Sequence, residues 1–399
     1  MTSGRIRRSL LLLFLNGSLA AQQTLEHAWD LAARGQRQDA IRLLQDLVHL
    51  APGNADVRLL LGSLLMEGGD RTGSIDQLQA ATRLRPKSAE AENALGEAYD
   101  KFGDSAGARE AFRLAVSFDP RFGIAQLNLG QALLAAGDVK LASEHLDRAI
   151  ELLGRTDDAA SGHYLRARAY TANGNAQHAE EHLREAVKIR PEFAEAWSDL
   201  GQARKSLLDI PGALDAFETA VRLNPEDPVA QYRFGAECLR QGKAHVAVEH
   251  LEKAYSLNPA DQSTLNSLQM ALRRDGKADR ANLLKQRLAD LLRDKDQVDR
   301  NHLTAIRLNN EGAKLEAAKD LRGALEKYRQ AVNLYPEMVG IRANFAVVLL
   351  RLGQWTEGLR ELHEASLRDP GDARIKAALK DALAQAPVNL KPEGSREVR

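Results

Sequence analysis

Apolar residues recur along this chain at helical spacing, and the helices that they predict come in pairs. In one such pair, Leu95 and Gly96 lie in a first helix, Gly103 lies in a turn, and Ala108 and Phe112 lie in a second helix. Apolar residues three and four positions apart occupy one face of a helix. The pattern therefore predicts two short amphipathic helices joined by a tight turn.

Prolines that close the helix pairs show how regularly the pairs recur. They are Pro52, Pro86, Pro120, Pro191, Pro225, Pro259, Pro336 and Pro370, and five of their seven spacings are 34 residues. The two longer gaps each hold one further pair. The first of these has Gly154 in the proline position and a three-residue insertion, and the second has a nine-residue insertion. Ten repeats result, beginning near residues 21, 55, 89, 123, 160, 194, 228, 262, 305 and 339.

Small residues occupy the same two positions in most repeats, which predicts close approach of the two helices. The first set is Gly62, Gly96, Gly130, Gly201, Gly235 and Gly312, and the second is Ala108, Ala142, Ala179, Ala213, Ala247, Ala281 and Ala324. A further glycine ends most first helices, where a left-handed residue is needed. One helix pair cannot bury its own apolar face, but a stack of pairs can. The sequence therefore predicts an all-α solenoid.

This pattern resembles the tetratricopeptide repeat family over roughly residues 21–386. The resemblance implies a right-handed superhelical solenoid of about ten helix-turn-helix repeats with a C-terminal capping helix. It also implies that the first helices line a concave face and that partners are proteins or peptides. Because this fold serves unrelated binding tasks, the resemblance does not identify the partner. The departures from the family pattern are Leu208 and Lys319 for the turn glycine, Arg166 for a leucine, and Ser74 and Gly358 for a small alanine.

The first twenty residues have the layout of a secretory signal peptide. Three arginines between residues 5 and 8 precede an apolar run at 9–15, which is too short to cross a bilayer. We expect cleavage after Ala20, with Ala21 as the second choice, and no membrane span in the mature chain. The expected location is a bacterial periplasm, with secretion as the alternative. The general secretory and twin-arginine routes both stay open.

The sequence divides into six predicted segments. These are a signal peptide at 1–20, repeats 1–8 at 21–295, a helical linker at 296–304, repeats 9 and 10 at 305–372, a capping helix at 373–386 and a disordered tail at 387–399. Residues 277–311 contain neither glycine nor proline. One or two long helices, or a simple longer loop, are equally compatible with that stretch.

Charge and cysteine content narrow the function. The chain has 55 basic and 55 acidic residues, so no net field favours nucleic acid. Cys238 is the only cysteine, so no disulfide can form within the chain. We expect it to be a buried apolar residue.

One histidine motif suggests a metal, but the repeat register argues against it. His178 and His182 lie four apart around Glu181, as in one class of zinc peptidase. The neighbouring Ala179 and Leu183 occupy core positions, which places the histidines between them on the outer side. The same Glu-His-Leu triplet recurs in two other repeats. Because other catalytic motifs are also absent, we expect no enzyme, no metal and no cofactor.

Candidate binding residues are polar or aromatic positions of the first helices that do not belong to the repeat core. In repeats 5–8 they are Tyr164, Arg168, Lys205, Tyr232, Asn266 and Arg273. Tyrosine and arginine are frequent binding anchors. A second set, one position before the leucine, is Asn128, Asn310 and Asn344, which resembles part of an asparagine ladder that holds a peptide backbone. Ordinary solvated polar residues are the alternative interpretation.

These observations favour a non-enzymatic exported scaffold or adaptor that binds a protein or peptide on its concave face. Envelope assembly, secretion and polymer export are the processes such a scaffold would serve. A structural spacer and the regulatory arm of an envelope enzyme complex are the alternatives. The oligomeric state stays open.

Overall fold

A computed structural model describes residues 19–387 of the chain, and this part is entirely helical, with twenty α-helices and no strand. Most of the predicted signal peptide and all but the first residue of the predicted tail lie outside the described residues. The chain divides into two compact units, one ending at Asp275 and the other beginning at Gly276. The division lies inside the eighth predicted repeat, ahead of the predicted linker at 296–304.

The first unit contains fifteen of the described helices. They are α1 (Leu19–Ala33), α2 (Arg37–Leu50), α3 (Ala55–Glu67), α4 (Arg71–Leu84), α5 (Ala89–Lys101), α6 (Ser105–Phe118), α7 (Gly123–Ala135), α8 (Val139–Leu153), α9 (Asp157–Ala172), α10 (Ala176–Ile189), α11 (Ala194–Ser206), α12 (Ile210–Leu223), α13 (Pro228–Arg240), α14 (Ala244–Leu257) and α15 (Gln262–Arg274). The second unit contains α16 (Ala278–Ala317), α17 (Leu321–Leu334), α18 (Val339–Arg351), α19 (Trp355–Arg368) and α20 (Ala373–Gln385).

Each turn between a first and a second helix contains a left-handed residue, and six of the ten turns add a side-chain N-cap. Gly103 has φ +80°, and Asp104 then accepts a hydrogen bond from the Gly107 N–H at 2.9 Å. The left-handed residue ends the first helix, and the carboxylate satisfies an unpaired N–H at the start of the second. Leu208 and Lys319 occupy the same left-handed position at φ +66° and +64°. The backbone thus keeps its turn even where the glycine is missing.

The small residues of the repeat allow the two helices of a pair to touch, as the sequence predicts. A Cβ added to Gly96 would lie 2.5 Å from the Phe112 ring, and one added to Gly201 would lie equally close to Phe217. The second-helix alanines, such as Ala213, are fully buried. The six repeats with a first-helix glycine therefore pack a large side chain of the second helix against bare backbone in the first.

Consecutive first helices of the first unit lie closer together than consecutive second helices. For example, α3 contacts α5, and α7 contacts α9, in addition to the contacts within each pair. This places the first helices on the inner side of the stack. We call the surface that they form the first-helix face.

A recurring hydrogen bond ties five of the repeats to the one before. The fourth residue of a repeat, here called the bridging position, donates to the carbonyl of the proline six residues earlier. The pairs are Arg58 with Pro52, Gln126 with Pro120, Trp197 with Pro191, Gln231 with Pro225, and Arg342 with Pro336, at 2.8–3.1 Å. Arginine, glutamine and tryptophan share a long side chain with an N–H donor. The bond explains why such different residues occupy one position.

The segment for which the sequence left a helix and a loop open is helical. Helix α16 runs without interruption for 40 residues and includes the predicted linker at 296–304. The first helix of the ninth repeat is thus the end of α16. Its Gly312 packs against Tyr328 of α17, in the same way as the first-helix glycines of the first unit.

Two smaller predictions concern burial. Cys238 is buried, 1% exposed, among apolar side chains of α13. Helix α20, in the predicted capping position, buries Ile375 and Ala382 against α18 and α19. Leu379 is only partly covered.

Candidate functional site

The six candidate residues of repeats 5–8 all lie on first helices of the first unit. Three of the side chains are exposed: Arg168 on α9, and Asn266 and Arg273 on α15. The other three are half-buried: Tyr164 on α9, Lys205 on α11 and Tyr232 on α13. Their positions on four consecutive first helices place them along one face. The structure therefore brings them to a common surface, but they differ in how exposed they are to a partner.

Tyr164 is partly a structural residue. Its ring lies 4.9 Å from that of Phe193 and packs on the apolar cluster of repeats 5 and 6. Burial, together with the nearby Asp199 carboxylate, raises the pKa of the Tyr164 hydroxyl to about 12. The guanidinium of Arg168 lies 5.9 Å above the same ring. Tyr164 thus offers a partner one edge of its ring, with Arg168 as the more exposed neighbour.

Two charges on α13 are neutralised by acidic neighbours. Arg233 donates to Asp199 at 2.7 Å and to Ser198 at 2.8 Å, both on the preceding first helix. Arg240 forms an ion pair with the buried carboxylate of Glu237. The bonds of Arg233 hold α11 and α13 together, whereas the Arg240–Glu237 pair lies within α13. Sequence reasoning missed Asp199, Arg233 and Glu237, although their charge at non-core positions was a usable signal.

Lys205 differs from these paired cations. Its ammonium is half-buried, and no acidic side chain of the described residues lies within ion-pair distance of it. Burial lowers the pKa of Lys205, the positive charges of Arg240 and Arg233 lower it further, and the Glu237 carboxylate offsets this in part. A cation that is partly desolvated and flanked by two others is stabilised by any anion that reaches it. Lys205 is therefore the part of the first-helix face best suited to bind a carboxylate.

The asparagine positions are used between repeats. Asn128 on α7 donates to Asn93 at 3.0 Å and to Glu97 at 3.1 Å, both on α5. In the second unit, Asn344 on α18 donates to Asn309 at 2.9 Å. The side-chain amide of Asn309 lies 3.4 Å from Asn310.

These bonds change how the asparagines are interpreted. The side-chain amides of Asn128 and Asn344 already join consecutive first helices. Asn128 uses both N–H donors of its –NH₂, whereas Asn344 keeps one. They are hence structural links first, and a peptide backbone would meet a partly occupied amide.

A cleft opens on the first-helix face between repeats 3 and 4. It is lined by Glu97, Asp100, Lys101, Phe112, Asn128, Gln131 and Ala132. Asp100 and Gln131 are exposed at its edge. With two carboxylates against one ammonium, the cleft is weakly acidic.

The two histidines of the sequence motif do not both lie on the outer side, where the repeat register predicts them. His178 is exposed and stacks on Tyr170, with ring centroids 5.0 Å apart. His182 is half-buried, and its Nδ1 lies 3.0 Å from Nδ1 of His163 in α9. The outer-side interpretation is therefore wrong for His182. Among the described residues, no group of three or more histidine, cysteine, aspartate or glutamate side chains is arranged to hold a metal ion.

The other two triplets explain the role of this position. His145 lies 2.7 Å from the Oε1 of Gln126, and His250 lies 2.8 Å from the Oε1 of Gln231. Both glutamines are bridging residues whose –NH₂ already donates to a proline carbonyl. Their Oε1 atoms must therefore accept the histidine Nδ1–H. In repeat 5, where Gly154 replaces the proline, His163 takes the bridging position.

A charged residue also occupies a core position in repeat 5. Arg166, in place of the family leucine, donates to Asp147 at 2.7 Å and to the Tyr170 hydroxyl at 2.9 Å. Its side chain is only 13% exposed. The cation is thus tolerated because the preceding repeat supplies a carboxylate.

None of the helices in residues 19–387 combines the length and the apolar character that crossing a membrane requires.

Comparison with known families agrees with the observed repeat. One tetratricopeptide repeat model matches residues 31–98 and 315–387, and a second matches 93–161, 127–192, 164–228 and 198–262. The matches cover more than half of the chain, which therefore belongs to the tetratricopeptide repeat family. Proteins of this family are generally non-catalytic, and the repeats make this chain a protein-interaction scaffold.

Individual relatives are more distant. A heat-shock protein cognate co-chaperone, sgt12 of Aspergillus fumigatus, is 30% identical over 106 residues, which is 26% of this chain and 29% of that protein. The chain thus spans less than a third of the length of this curated relative. PilF of Pseudomonas aeruginosa is 14% identical, with a TM-score of 0.50 over 53% of this chain and 95% of PilF. A tetratricopeptide repeat protein from Parabacteroides merdae is 15% identical, with a TM-score of 0.48 over 64% of this chain and all of that one. These structures are similar in fold alone.

Proposed function

We propose that this protein is an exported scaffold that binds a protein or peptide partner on the first-helix face of repeats 5–8. The partner belongs to the cell envelope, where the scaffold serves assembly, secretion or polymer export. Binding, and no catalysis by the chain itself, is the activity that its surface supports.

The observation that carries the proposal is the unneutralised positive charge of this face. Arg168, Lys205 and Arg273 project from three first helices, and within the described residues none of them lies within ion-pair distance of a carboxylate. Their neighbours Arg233 and Arg240 are paired. On an ordinary solvated surface, a half-buried cation such as Lys205 would be expected to have an acidic partner.

The geometry also lowers the cost of binding. These side chains start from packed helices, so little backbone freedom is lost when a partner is bound. Tyr232, half-buried on α13, adds an aromatic surface between the cations. Charged groups orient a bound segment, and the aromatic ring contributes buried area.

Export is supported by the N-terminal sequence alone. The basic residues, the apolar run at 9–15 and the small residues before Ala21 form the three parts of a signal peptide. The proposal of an envelope partner depends on this export.

The test begins with the mature chain as bait in parallel envelope and cytosolic extracts. Affinity for the recovered partner is then compared among Arg168→Ala, Tyr232→Ala and Glu218→Ala. Glu218 is exposed on the second helix α12 and serves as the matched control. Loss of a true anchor costs about 2 kcal/mol, or roughly thirtyfold in affinity. Equal affinity of all three folded variants would place the site elsewhere, and a partner found only in cytosolic extract would contradict the envelope role.

A further inference from the structure

The first helices of the first unit change charge along the stack. Helix α5 holds four acidic residues and one lysine, a net charge of −3. Helix α7 contains no charged residue. Helices α13 and α15 carry net charges of +1 and +2. Helices α9 and α11, between these, carry no net charge, so the charge rises along the row of first helices from α5 to α15.

The negative end has a defined cleft. Glu97 accepts the Asn128 side-chain N–H across the step from α5 to α7, and Asp100 lies exposed in the same cleft. Lys101 at its edge points toward the preceding repeat, where it donates to the Glu67 carbonyl at 3.4 Å. The cleft therefore has two carboxylates among its lining residues, while its one ammonium is bonded to a backbone carbonyl.

The positive end is the environment of Lys205. Its ammonium lies among the charges of Arg233 and Arg240, which are themselves paired with Asp199 and Glu237. The net excess of this group is one positive charge, and it is carried by the residue without a partner. A carboxylate placed there would balance the one positive charge that the group leaves unpaired.

The distance between the two ends suits an extended chain. The cleft spans repeats 3 and 4, and the Lys205 group spans repeats 6 and 7, three repeat steps away. Neighbouring helices that pack directly lie about 8–10 Å apart, so the ends are about 25–30 Å apart. Extended chain covers about 3.3 Å per residue, which corresponds to about eight residues.

We propose that the first-helix face binds an extended protein segment with a basic group near one end and an acidic group about eight residues away. The basic group occupies the cleft at Glu97 and Asp100, and the acidic group reaches Lys205. This inference rests on the proposed function and adds to it the charge pattern of the partner. The opposite charges of the two sites determine in which direction the segment runs along the face.

The experiment is a selection of random dodecapeptides on phage against the full chain. Enriched sequences should combine Lys or Arg near one end with Asp or Glu near the other. Against Lys205→Glu the selected acidic end should become basic, and against Asp100→Lys the selected basic end should become acidic. The matched controls are Arg222→Glu and Glu218→Lys, exposed charge reversals on the second helix α12, which should leave the selection unchanged.

A fluorescence anisotropy titration then uses one enriched peptide. Reversing the charge at its acidic end should weaken binding to the wild-type chain at least tenfold, and Lys205→Glu should restore it. Circular dichroism confirms that each variant is folded, and the rescue by a second reversal excludes a merely damaged site.

The outcomes separate the two proposals. Peptides that enrich and are lost with Tyr232→Ala, but show no charge separation, would overturn the charge pattern and leave the proposed function standing. Peptides whose charges do not respond to Lys205→Glu or Asp100→Lys would overturn it in the same way. Failure of any peptide to enrich on the folded chain would count against both.

Discussion

His163 and His182 face each other through their Nδ1 atoms at 3.0 Å, from the two helices of repeat 5. A hydrogen bond between two imidazole nitrogens requires that one carry the proton and the other accept it. In repeats 4 and 7 the bridging residue is a glutamine, which cannot titrate. Repeat 5 is thus the one of these three repeats in which the bridge contains two titratable groups.

The histidine bridge should make repeat 5 sensitive to acid. Burial, together with the positive charges of His163 and Arg166, lowers the pKa of His182 to about 4, and Asp147 and Glu181 offset this only in part. Because the folded pKa lies below the unfolded value near 6.5, the unfolded state binds more protons in this window. The stability of repeat 5 is therefore complete above about pH 6.5 and falls as the pH approaches 4.

His163→Gln is the matched variant, because it copies the bridges of repeats 4 and 7. The variant removes the positive charge that His163 can carry, so the pKa of His182 should rise. The amide hydrogens of α9 and α10 should then lose less of their exchange protection at low pH. Hydrogen exchange and NMR titration of the histidine ring measure the two effects. An unchanged His182 titration in this variant would show that the pair is not coupled.

Gly201→Ala should destabilise the middle of the first unit. The new Cβ would lie 2.5 Å from the ring of the buried Phe217. Overpacking of this kind costs about 1–3 kcal/mol. Because repeats contact only their neighbours, hydrogen exchange should loosen mainly in repeats 5–7.

Gly340→Ala is the control for that change. Gly340 lies in helix α18 with nothing within 4 Å of an added Cβ. The change should stabilise the protein by no more than about 0.5–1 kcal/mol, because that is the cost of glycine in mid-helix and Gly340 is the second residue of α18. If Gly201→Ala proves no more disruptive than Gly340→Ala, close helix approach is not what the first-helix glycines provide.

Leu208→Gly should raise stability. Leu208 has φ +66° and is 83% exposed, so it has backbone strain and little packing to lose. A left-handed side chain costs about 1–2 kcal/mol, and the added freedom of glycine in the unfolded chain offsets about 0.5–1 of this. We expect a net gain of roughly 0.5–1 kcal/mol in urea unfolding. A loss of stability would mean that Leu208 makes contacts that its exposure does not suggest.

Removal of the N-terminal segment can be measured directly. N-terminal sequencing of the native protein should begin at Ala21 or Gln22, because the small residues before them suit signal peptidase. A native protein that retains Met1 and fractionates with the cytosol would refute export.

The sequence by itself determined the repeat. Small residues such as Gly201 and Ala213 recur at one period because two helix backbones touch there, and Gly103 recurs because a helix must end in a left-handed turn. These demands act on single positions within one repeat. They are therefore readable without coordinates, and they were sufficient to predict an all-helical stack of repeats.

Only the tertiary structure decided which side chains on that face are free. Asn128 and Lys205 look alike in sequence, as polar residues outside the repeat core. In the fold, Asn128 bonds to the preceding helix, whereas no carboxylate of the described residues lies within ion-pair distance of Lys205. His182 likewise faces inward because His163 lies opposite it in the other helix. Such relationships join residues 19 to 35 positions apart, and whether two of them meet depends on how neighbouring helices pack, which no local pattern contains.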